Sequence, residues 1–145
     1  MIPRVVVDSN LLIGAVLSKG GGDNREVLRR CLQGLAKPVL GVALFSEYED
    51  LLGREKLMKE CPLPPKDQRA LLEAFIAVCE WIKLFYLWRP NLPDESGNHL
   101  IEIAVAGTAD FIITNNLRDL NTGELHFPNL KILSPKQFIQ TTKTP

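Results

Sequence analysis

Short runs of β-branched and apolar residues alternate along this chain with longer stretches whose apolar residues have helical spacing. A strand that is buried on both faces reads as a continuous apolar run, which is typical of parallel sheets. The runs that fit this description occupy residues 4–8, 38–45, 83–87, 109–115 and 130–135. Strands joined in this order by helices predict an α/β protein, a three-layer α/β/α sandwich with a parallel β-sheet.

Helices are predicted between these strands. The clearest is amphipathic, has Asp67 as its cap and continues through Ile82. An earlier helix is expected to begin at Ser46, because Ser46 and Glu49 have the spacing of a capping box. Further helices are predicted in the segments LLIGAVL, DNREVLRRCLQGLA, HLIEIAVAG and PKQFIQ.

Length and charge limit the class of protein. A chain of 145 residues is expected to form a single domain, residues 1–145. The 17 basic and 17 acidic residues give a formal net charge of zero, so any RNA binding has to use a local patch or a metal ion. The 3 cysteines lack zinc-ligand spacing and are interpreted as structural thiols. Without a leader peptide or an apolar run of about 18 residues, the expected location is the cytoplasm, with no membrane span.

Acidic residues recur where the predicted strands end, which is where ligands bind in parallel α/β sheets. Asp8 ends the first strand, and Glu47 opens the helix after the second. Asp94 and Glu95 precede the helix before the fourth strand, and Asp119 follows that strand. Each has a simpler reading as a helix cap, a first-turn surface residue or a turn residue. As a set on successive βα units, they predict a cluster of carboxylates.

A cluster of carboxylates predicts a bound metal ion. The carboxylates repel one another and are costly to bury unless a divalent cation neutralises them, and oxygen ligands select Mg²⁺ or Mn²⁺. A cation that keeps many water ligands is suited to phosphodiester hydrolysis. Another phosphotransfer or phosphatase domain ranks lower, since the chain has neither a GxxxxGK[ST] loop nor DxD at the end of the first strand.

Four segments of the chain resemble those of PIN-domain proteins in order and spacing: VVVDSNLLIGAVL, LFSEYEDLLGREKL, LPDESGNHLIEIAVAGTADFIITNNLRDL and LKILSPKQFI. Within that family the chain resembles the VapC-like nucleases, the toxin components of prokaryotic toxin–antitoxin systems. The resemblance covers nearly the whole chain. It implies an α/β/α sandwich, Mg²⁺- or Mn²⁺-dependent cleavage of single-stranded RNA, a homodimer and a cognate antitoxin protein.

The resemblance also implies roles for individual residues. Asp8 matches the first acid of the family, with Asn10 in the polar position that usually follows. Glu47 matches the second acid. Ser9 and Thr114 are candidates for residues that support the metal ligands or the substrate.

The chain departs from the family pattern at the third and fourth acids. An Asp commonly precedes the Asn at the start of the helix before the fourth strand, and here Gly97 precedes Asn98. Asp94 lies about one helical turn earlier and is the expected substitute. The fourth position reads Asn116, followed by Asp119 as a replacement. Fewer carboxylates lower the charge of the site and therefore its affinity for a metal ion.

Two functions remain open on these residues. The first is a metal-dependent endoribonuclease in which Asp8, Glu47 and Asp94 bind one cation, with Asp119 or Asn116 assisting. The second is a catalytically weakened or inactive PIN domain that binds RNA or a protein. Dependence on a metal ion distinguishes the two.

Residues outside the acidic set have weaker signals. Arg118 and Lys19 are candidates for binding the flanking phosphates, although a solvated surface position is the simpler reading of each. Aromatic residues cluster at 81–88, where core packing, a subunit interface and stacking on nucleobases are the alternatives, core packing being the commonest.

Overall fold

A computed structural model describes residues 2–17, 22–54, 59, 64–83, 95–115 and 130–142 of the chain. Eleven elements follow one another in the order β1 (Arg4–Val7), α1 (Ser9–Leu17), α2 (Asp23–Leu32), β2 (Lys37–Leu40), α3 (Val42–Leu52), α4 (Pro65–Val78), β3 (Glu80–Trp81), α5 (Glu95–Ala106), β4 (Phe111–Ile113), β5 (Lys131–Leu133) and α6 (Pro135–Thr141). Strands and helices alternate, as the apolar pattern predicts.

The five strands form one sheet in the order β3-β2-β1-β4-β5, and every pairing is parallel. β1 is therefore the central strand, and its three valines, 5 to 7, are almost completely buried. Helix α5 packs against β1, β2 and β4, whereas α2 packs against α1, α4 and α6. The predicted fold class, a three-layer α/β/α sandwich with a parallel sheet, is confirmed.

The second strand is shorter than its apolar run suggests. It ends at Leu40, and α3 begins at Val42 rather than at Ser46, so the predicted capping box lies inside the helix. Gly41 separates the two elements in an extended conformation. A Cβ atom at Gly41 would lie 3.2 Å from the Ile103 side chain, so the close approach of α5 favours glycine at this position.

The third strand and the helix before it also differ from the prediction. Helix α4 begins at Pro65, with Asp67 in its first turn, and ends at Val78 rather than at Ile82. The chain then forms β3 at Glu80–Trp81, and Lys83 belongs to no strand. The rest of the strand predicted at 83–87 lies outside the described residues. The apolar spacing continues across the boundary because Cys79 and Ile82 still pack against the core.

Two of the cysteines belong to the interior. Cys31 is fully buried and Cys79 is half-buried, and neither forms a disulfide. Burial raises the pKa of each thiol to about 12, so both remain protonated and unreactive at neutral pH. Cys61 lies outside the described residues. None of the helices in the described residues is long and apolar enough to cross a bilayer.

Candidate active site

Asp8 stands where β1 ends and α1 begins. Its amide donates to the carbonyl of Ile113 on β4 at 3.0 Å, and its own carbonyl accepts from the amides of Leu11 and Leu12. The backbone of Asp8 thus serves both the sheet and the first turn of the helix. Its carboxylate accepts a hydrogen bond from the hydroxyl of Thr114 at 2.6 Å, so the side chain is held toward the carboxyl edge of the sheet.

Ser9 connects Asp8 to Glu47. The Ser9 hydroxyl is buried, lies 3.4 Å from Asp8 Oδ1 and donates a closer hydrogen bond to Glu47 Oε1. Glu47 is half-buried on α3, one turn into the helix rather than at its start. Two carboxylates from different elements therefore approach one hydroxyl group that has a single proton to donate.

Tyr48, on α3, makes a second connection between this helix and β1. Its ring is buried against Phe75, and its hydroxyl donates to the carbonyl of Val7, the residue before Asp8, at 2.5 Å. Burial, reinforced by negative charge on neighbours that include Asp8 and Glu47, raises the pKa of Tyr48 well above its usual value. The phenol therefore stays protonated and remains a hydrogen-bond donor.

Thr114 connects the site to the other half of the sheet. It follows the last residue of β4, is fully buried and donates its amide proton to the carbonyl of Leu133 on β5 at 2.9 Å. Its hydroxyl contacts Asp8, so the position of that carboxylate depends on β4 and β5 as well as on β1.

The structure brings together four of the residues that the sequence predicts for the site, and they are Asp8, Ser9, Glu47 and Thr114. Asn10 is exposed in the first turn of α1. Asn98 lies on α5, and its side chain is outside the described part of the structure. Four further predicted residues lie outside the described residues, and they are Asp94, Asn116, Arg118 and Asp119. Lys19 also lies outside them.

Two buried residues with polar groups, Tyr48 and Glu102, are absent from the sequence-based set. Tyr48 directly follows Glu47, but nothing in its spacing indicates that it reaches back to β1. Glu102 is a buried acid on α5, the helix that packs against β1 and β4. The sequence does indicate Glu102, because it is the one acidic residue in the otherwise apolar helical segment HLIEIAVAG.

The donor set at this edge fits a hard divalent cation in its chemistry. Asp8 and Glu47 supply carboxylate oxygens, and Mg²⁺ is commonly bound through one or two carboxylates while several water ligands are kept. Among the described side chains, no group of three acids, histidines or cysteines is close enough to hold a metal ion.

The protein is an all-parallel α/β sandwich in which two acids, Asp8 after β1 and Glu47 on α3, lie near one another beside Ser9. The PIN domain family model matches residues 4–118, which is most of the chain. The chain belongs to the PIN-domain family. PIN domains generally use divalent metal ions, in agreement with the carboxylates at this edge. A comparison with curated proteins gives no match.

Proposed function

We propose that this PIN domain is a Mg²⁺- or Mn²⁺-dependent endoribonuclease that hydrolyses phosphodiester bonds of single-stranded RNA. The observation that carries the proposal is the approach of the Asp8 and Glu47 carboxylates to the Ser9 hydroxyl at the carboxyl edge of the sheet. Both carboxylates lie next to the same hydroxyl group, and like charges held this close repel one another, which is a cost to stability. A functional role in binding a cation accounts for that cost.

Each residue of the site has a separate task in the proposed reaction. Asp8 and Glu47 would hold the cation, which would lower the pKa of a water and offset charge on the phosphate. Ser9 fixes the distance between the two carboxylates, and Thr114 holds Asp8 in one orientation through its 2.6 Å hydrogen bond. Asp94, Asp119 and the carbonyl oxygen of Asn116 are the further oxygen ligands that we propose on the strength of the family resemblance.

The test is a calorimetric titration with Mn²⁺. Wild-type protein is expected to bind the ion saturably, and Asp8→Asn is expected to lose binding, because a neutral amide replaces a charged ligand. Asp50→Asn is a matched control, since Asp50 is an exposed acid on the same helix as Glu47 and forms an ion pair with Arg54. It is expected to bind Mn²⁺ as the wild type does.

Cleavage of a labelled single-stranded RNA completes this test. Activity that requires Mn²⁺ or Mg²⁺, is removed by EDTA and disappears in Asp8→Asn supports the nuclease. If folded wild-type protein binds no Mn²⁺ at millimolar concentration and cleaves no RNA, the nuclease proposal is wrong. RNA binding that is indifferent to the metal and to Asp8→Asn would identify an RNA-binding module instead.

The biological setting is also a proposal and rests on the resemblance to VapC-like proteins. We propose that the chain acts in the cytoplasm as the toxin of a toxin–antitoxin pair, as a homodimer that a cognate antitoxin protein inhibits. Expression of the wild type in a bacterial host is expected to arrest growth, and expression of Asp8→Asn is not. Equal growth of both strains at equal protein level would contradict the toxin assignment, and sedimentation equilibrium tests the dimer.

A further inference from the structure

Trp81 exposes a large aromatic surface at the edge of the sheet. It is the last residue of β3, and 49% of its surface is exposed. Phe45 on α3 supports the indole from one side, with the ring centroids 5.4 Å apart and the planes tilted by 58°. Val42, at the start of the same helix, is also exposed, at 72%. The indole is therefore held in place by one neighbour while much of it faces solvent.

The strand register places Trp81 at the same edge as the acidic site. Leu40 pairs with Trp81, and the β1–β2 register sets Val7 level with Leu40. Val7 is therefore level with Trp81, and Asp8 is the residue that follows Val7. β1 and β3 are separated by one strand, β2. Because neighbouring strands lie about 4.8 Å apart, the two positions are separated by roughly 10 Å across the sheet. A short piece of a single polynucleotide strand spans that distance.

The chemistry around Trp81 suits a nucleobase. A tryptophan ring stacks on every base, because each base presents a π face. Lys83 lies two residues further along the chain and is exposed. Exposed aromatic rings and basic residues are the combination by which proteins bind single-stranded nucleic acid with little sequence preference. From the sequence, core packing is the simplest interpretation of the aromatic residues at 81–88. The exposure of Trp81 does not agree with that interpretation for this residue.

We propose that Trp81, supported by Phe45, forms a stacking subsite for a nucleobase of single-stranded RNA that extends from the acidic site. This inference rests on the proposed function, because the acidic site supplies the reason for RNA at this edge of the sheet. It adds a residue that binds a base and takes no part in hydrolysis. It also predicts that the RNA crosses the carboxyl ends of β1, β2 and β3.

The experiment uses the fluorescence of Trp81. The chain has two tryptophans, so Trp88→Phe leaves Trp81 as the single indole reporter. An eight-residue oligouridine is titrated in EDTA, so that no hydrolysis occurs, and inorganic polyphosphate of equal charge is titrated in parallel. Stacking is expected to quench the fluorescence saturably with the oligonucleotide and not with polyphosphate.

Variants of Trp81 measure the contribution of the ring to affinity, followed by anisotropy of labelled oligouridine. Trp81→Leu keeps an apolar cover on Phe45 and is expected to weaken binding by roughly 5- to 140-fold, equivalent to 1–3 kcal/mol. Trp81→Phe keeps an aromatic ring and is expected to stay within about threefold of the wild type. Val105→Ala removes another exposed apolar side chain, on α5, and is the matched control.

The outcomes separate this inference from the proposed function. Equal affinity of Trp81→Leu and Val105→Ala for oligouridine overturns the stacking subsite, even if RNA hydrolysis that depends on Asp8 is intact. A change from dimer to monomer in Trp81→Leu, with RNA affinity unchanged, also overturns it and identifies an interface between two copies. Binding that depends on Trp81 in a protein that hydrolyses no RNA supports the subsite and contradicts the nuclease.

Discussion

Ser9 shows how a single hydroxyl group defines the geometry of this site. The proton of its hydroxyl is donated to Glu47, while Asp8 lies 3.4 Å from the same oxygen and takes its own hydrogen bond from Thr114. Each carboxylate therefore has a different neutral donor, and the two negative charges face one another across Ser9. The strand VVV stops at Asp8 because its next side chain belongs to this polar edge rather than to the core.

Tyr48 joins α3 to β1 through the hydrogen bond from its hydroxyl to the carbonyl of Val7. Tyr48→Phe keeps the ring packed on Phe75 but removes the donor to the buried carbonyl of Val7. We expect the free energy of unfolding to fall by about 1–3 kcal/mol, because a buried carbonyl loses a hydrogen bond. Urea denaturation measures this change.

The same variant is expected to bind Mn²⁺ more weakly than the wild type, since Asp8 and Glu47 flank the lost contact in sequence. Residues that orient metal ligands typically contribute about 10- to 100-fold to affinity. Wild-type stability together with wild-type Mn²⁺ affinity in Tyr48→Phe would show that this hydrogen bond does not position the site.

At the scale of the elements, two helices end in the same way with different residues. Helix α2 closes with Gly34 at a φ of 80°, and the amide of Leu35 donates to the carbonyl of Arg30. Helix α5 closes with Thr108 at a φ of 50°, and the amide of Ala109 donates to the carbonyl of Ala104. Both endings are Schellman motifs, in which a residue in the left-handed region terminates the helix.

Glycine adopts this left-handed conformation without strain, whereas a β-branched threonine does not. We expect Thr108→Gly to raise the free energy of unfolding by about 0.5–1 kcal/mol, the gain being limited because the Thr108 hydroxyl bonds to the Gly107 carbonyl at 2.7 Å. Gly34→Ala is the reciprocal change, and open space around that position leaves backbone strain as its cost. It is expected to destabilise the protein. Urea denaturation of both variants checks the pair, and a destabilised Thr108→Gly would contradict the argument.

The order of the elements was predictable from the sequence, whereas two boundaries were not. Periodicity identifies strands and helices because the buried faces of both are apolar. It does not locate the end of β2, since Leu40 and Leu44 are both buried although they belong to a strand and a helix. Gly41 is the residue that marks the boundary, because a Cβ atom there would be crowded by Ile103. That contact could not be read from the local pattern, since Ile103 lies about 60 residues further along the chain.

For the molecule as a whole, the place of the site in the fold could be predicted from the sequence, but most of the contacts between its residues could not. Strand ends in a parallel sheet meet at one edge, so Asp8 and Thr114 were expected near each other. The hydrogen bond between Tyr48 and Val7 depends on how α3 packs against β1, which no local pattern specifies. The burial of Glu102 depends in the same way on how α5 lies on the sheet.

The region that matches the PIN domain family ends at residue 118, but the core continues beyond it. β5 pairs with β4, and the carbonyl of Leu133 holds the amide of Thr114. On α6, Phe138 is buried and lies edge-on against Phe111, with ring centroids 5.8 Å apart. The C-terminal elements thus complete the sheet beside the candidate active site.

A chain cut after residue 118 is therefore expected not to fold cooperatively. β4 would lose its pairing with β5 and become an edge strand of the sheet. Phe111 would lose its contact with the ring of Phe138. The guanidinium of Arg30, which is buried and donates to the carbonyl of Thr142 at 3.0 Å, would lose that acceptor and keep its ion pair with Glu26. A chain cut after residue 142 keeps all these contacts and is the control. Thermal unfolding followed by circular dichroism distinguishes the two, and a cooperative transition in the shorter chain would show that the matched region is stable alone.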